Sequence, residues 1–104
     1  MTDLAFTVPT RSTEAITFKL QNPDGSIEEY KFTPQKRADM LIPYFNGMDA
    51  LGASYFWLQK GLTDEGRANL AKRLSDPEDP LDMDTIGKVC DALATRVAGD
   101  RPTT

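Results

Sequence analysis

The chain contains no histidine, one cysteine and one tryptophan in 104 residues. Without histidine there is no imidazole to activate a thiol or hydroxyl, and no Cys/His zinc site can be built. Cys90 alone cannot close an internal disulfide. Cationic side chains are in deficit: 12 Lys and Arg stand against 16 Asp and Glu, a formal net charge of -4. Proteins that track phosphates gather Lys and Arg on one face to release counterions, so this balance argues against nucleic acid as a partner. Long apolar runs are missing too. No window approaches the roughly 20 apolar residues of a membrane-spanning helix, and MTDLAFTVPT has no basic start followed by an apolar stretch. No membrane contact is expected, and the protein is expected to remain in the cytosol where it is made.

The chain does have an ordinary globular balance of 39% hydrophobic and 27% charged residues, enough for one core. Residues 1–13, MTDLAFTVPTRST, show no period and read as a flexible arm, although Leu4, Phe6 and Val8 alternate and can pair as an edge strand in an assembly. A single globular domain is expected over 14–99, and a flexible tail over 100–104. In AITFKLQNPDGSIEEYKF two alternating runs flank Asn-Pro-Asp-Gly. Pro23 sets φ for the first turn position, and Gly25 accepts the left-handed conformation that follows a type I turn. Pairing Asn22 with Ser26 puts Phe18 opposite Tyr30 and Ile16 opposite Phe32 on one face, with Lys19 opposite Glu29 on the other.

Thr33 followed by Pro34 reads as an N-cap and first helical position, opening a short helix through QKRADMLI. Pro43 lacks the amide that would reach back four residues, so this helix is expected to kink or end near Ile42, with YFNG as its tail and Gly47 as a stop. Asp49 is placed to cap a second helix through ALGASYFWLQK, with Leu51, Tyr55 and Leu58 on one stripe, Trp57 beside it and Gly61 at its end. Thr63 caps a third, DEGRANLAKRL, which has acids in its first turn and Lys72 and Arg73 in its last, as the helix dipole favours. Its apolar stripe of Ala68, Leu70, Ala71 and Leu74 is thin. In a fourth, Ile86, Val89, Cys90, Leu93 and Val97 recur at spacings of three and four, and Gly99 follows. The expected architecture is α+β: an N-terminal antiparallel β-hairpin packed against a bundle of four short helices.

SDPEDPLDMD, residues 75–84, holds five carboxylates and no cation. A calcium loop needs oxygen ligands at alternating positions, a glycine at the sharp turn and a terminal bidentate Glu. Prolines interrupt the run, and no Gly or Glu follows in register. Pro77 and Pro80 suit a rigid connector that stops the third helix, with Asp82 or Asp84 capping the fourth. An acid and base pair needs two carboxylates converging in a sheltered cleft, whereas this loop is expected to be solvated. Cys90, on an apolar helix face, reads as a buried, inert thiol. No catalytic, cofactor-binding or metal-ligating residue is assigned, and no enzyme is expected. Tyr55, Phe56 and Trp57 are consecutive and cannot share one side of a helix, so at least one is expected to be exposed. MLIPYF poses the same problem around Pro43. Because aromatics are enriched at interface cores, Tyr44, Phe45, Tyr55, Phe56, Trp57 and Leu58 form the candidate partner-binding set.

The polar arm, the short hairpin, FTPQKRADML leading into helices, GLTDEGRANLAKRLSDPEDPLDMDTIGKVCDALATRVAG and the final DRPTT together form a familiar order. Over most of residues 15–104 this order resembles the tail assembly chaperones of long-tailed, siphovirus-type phages that infect actinobacteria. In that family a helix like TDEGRANLAKRL leads through an Asp/Pro-rich link into a final helix, and a segment like GDRPTT precedes the region where ribosomes shift frame to make a longer form. The resemblance implies a binding protein that coats the long, helical, aggregation-prone tape measure protein in the host cytoplasm until the tail tube polymerises around it, and that is absent from the finished virion. A small acidic domain with surplus aromatics on short helices suits a holder of amphipathic helices. Excess apolar surface also favours self-association, so a homo-oligomer is among the expected assemblies. Two other readings stand beside this one: a structural tail or head-tail connector subunit whose arm pairs with a neighbour's strand, and a small regulatory protein that binds a host factor.

Overall fold

Asn22-Pro23-Asp24-Gly25 turns the chain back on itself, and the turn chemistry sets the strand register. In the computed structural model, which describes residues 3–8, 10–11 and 13–99, the Asn22 amide donates to the Ser26 carbonyl at 2.8 Å and the Gly25 amide to the Asn22 carbonyl at 2.9 Å. Gly25 has φ 89°, the left-handed region that glycine enters without strain. The Ser26 hydroxyl and amide both donate to the Asp24 carboxylate, at 2.6 and 2.9 Å, and hold it below the usual carboxylate range. Strands β1 (Ile16–Gln21) and β2 (Ile27–Phe32) then pair antiparallel, with Phe18 opposite Tyr30, Ile16 opposite Phe32 and Lys19 opposite Glu29. This is the register that the alternation predicts.

Four helices follow: α1 (Ala38–Phe45), α2 (Ala50–Gly61), α3 (Asp64–Ser75) and α4 (Met83–Gly99), giving an α+β fold. The first helix departs from expectation at both ends. Thr33 does not cap it. Its amide donates instead to the Gly61 carbonyl at 2.8 Å while Phe32 bridges Leu62, so the backbone stays extended past β2 and α1 begins only at Ala38. Pro43 does not end it either, because its φ suits a helix and only one backbone hydrogen bond is forfeited. The stop comes two residues later. The Met48 amide bonds to the Pro43 carbonyl at 3.0 Å and the Gly47 amide to the Tyr44 carbonyl at 3.1 Å, with Gly47 at φ 105°. This is the pair of backbone bonds that defines a Schellman cap.

The remaining helix starts follow the expected caps. Asp49 Oδ1 accepts from the Gly52 amide at 2.7 Å, Thr63 Oγ1 from Gly66 at 3.0 Å, and Asp82 Oδ1 from Thr85 at 3.1 Å. The buried face of α2 is shifted from the expected stripe, of which only Leu58 is fully buried. It comprises Ala53, Trp57, Leu58 and Gly61, whereas Leu51 is exposed and Tyr55 half-buried. Gly61 explains the rotation: a Cβ there would lie 2.3 Å from Phe32 Cε1. Ala53 and Trp57 lie on the same face of the helix, eight and four residues before it. On α3 only Leu70 is buried, while Ala68 and Ala71 face solvent.

The core lies where the inner face of the hairpin meets α2 and α4. Trp57, Phe32, Leu58, Leu70, Ile86 and Cys90 are its largest fully buried side chains, with Val89 and Val97 packed at its margin. Among the described residues no helix is long and apolar enough to cross a membrane. Residues 3–8 carry no regular secondary structure, and Leu4, Phe6 and Val8 are 85 to 89% exposed. The tail expected over 100–104 lies outside the described residues.

Candidate functional site

Helix α1, ADMLIPYF, is rich in apolar residues yet has none fully buried. A helix that is apolar all round normally lies inside a protein. This one lies on the outside of α2, held at its edge by Lys60 Nζ, which donates to Asp39 Oδ1 at 3.0 Å. Met40 packs against the core margin. The side chains on the other sides do not: Ile42 is 59%, Tyr44 47% and Phe45 77% exposed, and Leu41, Met48 and Leu51 are also open to solvent. The rings of Tyr44 and Phe45 meet edge to face at 5.5 Å. Phe56 is exposed too, with the Lys60 ammonium 5.6 Å from its ring centroid, which ties it to the same Lys60 that grips α1. Concentrated apolar exposure of this kind marks an interaction surface more often than scattered single residues do.

The expected partner-binding set divides here. Tyr44, Phe45 and Phe56 are at the surface, and Tyr55 is half-buried, its phenol pushed up by burial and drawn partly back by Gln59. Trp57 and Leu58 are corrected to the core, both 0% exposed. The hairpin covers them, with the Trp57 and Phe32 rings 4.8 Å apart. Trp57 Nε1 is buried with no hydrogen-bond partner, so the indole is retained in the core despite an orphan donor that costs about 1 to 3 kcal/mol. Ile42, Leu41, Met48 and Leu51 were not in the expected set. The density of MLIPYF was the signal for the first two.

A second cluster is polar and links the hairpin to α3. Alternation from Tyr30 puts Glu28 on the core-facing side of β2. There it meets Arg73, whose side chain is only 12% exposed and which donates to Glu28 Oε1. Arg73 also donates to both carboxylate oxygens of Asp79, each at 2.9 Å, and to Asn22 Oδ1 at 2.8 Å. Asn69 Nδ2 bonds to Glu28 Oε2 at 3.1 Å and to the Tyr30 hydroxyl at 2.6 Å. The bidentate contact holds Asp79 below the usual carboxylate range, and Asp79 followed by Glu28 raises Arg73 further above its ordinary value. Asp79 is therefore not one of the solvated carboxylates of the connector. It locks α3 to the loop that follows, and Arg73 locks both to the hairpin.

Cys90 is buried, donates to the Ser54 carbonyl at 3.4 Å and is pushed up to about 12, by burial first and then by the charge of Asp91. A thiol so protonated is a poor nucleophile at neutral pH. Among the described residues no group of three or more His, Cys, Asp or Glu side chains is placed to hold a metal ion. No family model, curated protein or solved structure matches the chain.

Proposed function

We propose that this chain is a phage tail assembly chaperone that binds amphipathic helices of the tape measure protein and keeps that protein soluble in the host cytoplasm during tail assembly. The observation that carries the reading is α1, an apolar helix with no fully buried residue, which presents Ile42, Tyr44 and Phe45 outward. An amphipathic client helix laid on such a surface buries its own apolar stripe against these side chains, with aromatic anchors supplying most of the affinity. The overall sequence order described above supports the same class. The net charge of -4 keeps the chaperone itself soluble while the apolar surface is open.

Co-expression with the tape measure protein encoded nearest to it tests the reading. The soluble fraction of the client and the mass of any complex by light scattering are measured for the native chain and for an Ile42→Ser, Phe45→Ser double variant. A client soluble only with the native chain supports the proposal. A client that remains insoluble, or that the double variant solubilises equally well, overturns it.

A further inference from the structure

The β1 edge of the hairpin is open, and a groove runs beside it. Because Asn22 and Ser26 form a hydrogen-bonded pair, the ladder alternation directs the backbone groups of Ile16, Phe18 and Leu20 toward β2 and those of Thr17, Lys19 and Gln21 outward. Among the described residues no backbone group outside β2 pairs with this edge. The groove, about 630 Å³, is lined by every residue from Ile16 to Pro23 and, across from them, by Leu81, Val89 and Ala92. Lining by consecutive strand residues means that it follows the backbone edge. An added strand there finds outward amides and carbonyls on one side and an apolar floor toward α4.

The same chain carries a segment of matching character. Leu4, Phe6 and Val8 alternate within residues 3–8, which form no secondary structure and expose these three side chains almost fully. No carboxylate lines the groove; of its cations Lys19 is paired with Glu29 and Arg73 with Glu28 and Asp79, and the segment from Asp3 to Val8 carries one carboxylate and no cation. The segment does not fold back onto its own groove. Arg11 donates to the Pro34 carbonyl at 3.3 Å, which places the base of the arm beside the chain leaving β2.

We infer that residues 3–8 of one copy add as a third strand to the β1 edge of a second copy, seating Leu4, Phe6 and Val8 in the groove between β1 and α4. The contact is head-to-tail, because arm and groove are different surfaces, and each copy keeps one of each available for further neighbours. It uses β-strand addition, in which backbone pairing supplies affinity and alternate side chains supply register. The inference is independent of the client surface on α1.

Two measurements on the full chain test it. Light scattering over a concentration series should give a mass above the 11.5 kDa monomer that rises with concentration, and Phe6→Asp should weaken association roughly tenfold or more. Phe6 lies outside the core, so this variant keeps the fold. In the second, a Phe6→Cys chain and an Ala92→Cys chain carrying a size tag are mixed under mild oxidation, and a disulfide-linked heterodimer is expected. A monomer at every concentration, an oligomer insensitive to Phe6→Asp, or no disulfide between the Phe6→Cys and Ala92→Cys chains would overturn the proposal.

Discussion

Replacing Gly61 by alanine separates two accounts of that residue. If Gly61 served only to weaken and end α2, alanine would stabilise the helix by up to about 1 kcal/mol, the propensity difference between the two. The structure gives the opposite sign. A Cβ at position 61 would lie 2.3 and 2.5 Å from Phe32 ring atoms and 2.6 Å from the Thr33 carbonyl oxygen. Phe32 is itself fully buried against Trp57, and Thr33 is held by its amide bond to the Gly61 carbonyl, so neither neighbour can yield freely. Overpacking of this kind costs about 1 to 3 kcal/mol, and loosening the Thr33 bond adds about 1 kcal/mol. After the propensity gain is subtracted, Gly61→Ala should destabilise by about 2 kcal/mol. In urea, with a slope of about 2 kcal/mol per molar, the midpoint should fall by about 1 M, and the melting temperature by about 8 to 16 °C. A midpoint that is unchanged or raised would show that α2 and the end of β2 are not in contact as described.

Arg73→Met leaves Glu28 on the core-facing side of β2 without its cation and should cost about 2 kcal/mol in urea unfolding, with part recovered in the Glu28→Gln, Arg73→Met double variant. A loss below about 0.5 kcal/mol would reduce the cluster to surface ion pairing. Asp79 and Asp24 bind protons less readily when folded, so their contribution is complete above the ordinary value of 3.8 and is lost as pH falls through their lower folded values. Unfolding midpoints from pH 7 to 2 should therefore decline on the acid side, and Asp79→Asn should flatten that decline. The Ile42→Ser, Phe45→Ser variant should keep its unfolding midpoint to within about 0.5 kcal/mol, because these side chains are mostly in solvent.

The hairpin was legible because three independent local signals agreed: the alternation, the Asn-Pro-Asp-Gly turn and the Lys19 and Glu29 pair. The caps at Asp49, Thr63 and Asp82 were legible for the same reason, since a side-chain oxygen placed three residues before a free amide acts locally. Thr33 failed as a cap because helix α1 begins only at Ala38, after a segment tied to the end of α2 by the Thr33 to Gly61 bond, a contact between residues 28 positions apart that no local pattern contains. The buried face of α2 was read correctly only at Leu58, on the same account. The hydrophobic period favoured Leu51, Tyr55 and Leu58, but the close approach of Phe32 requires glycine at 61 and so selects the face carrying Ala53 and Trp57. The Arg73 cluster was not read: it joins Glu28 on β2 to Asn69 and Arg73 on α3, more than 40 residues away.

The two apolar surfaces share no residue: one is carried by α1 and the start of α2, the other by β1 and α4. A copy joined to its neighbours through the arm therefore keeps its α1 surface open. If both proposals hold, a row of such copies offers a long client helix repeated contacts, and each contact after the first is made at high effective concentration. Under the proposed chaperone function, a single α1 surface of a few aromatic and aliphatic side chains needs that gain to hold its client. Phe6→Asp should then lower client solubilisation in co-expression while the α1 surface and the unfolding midpoint stay unchanged. The Ile42→Ser, Phe45→Ser variant should lower it while self-association persists. If Phe6→Asp abolished self-association and the client remained fully soluble, single copies would suffice and arm exchange would serve another step of assembly.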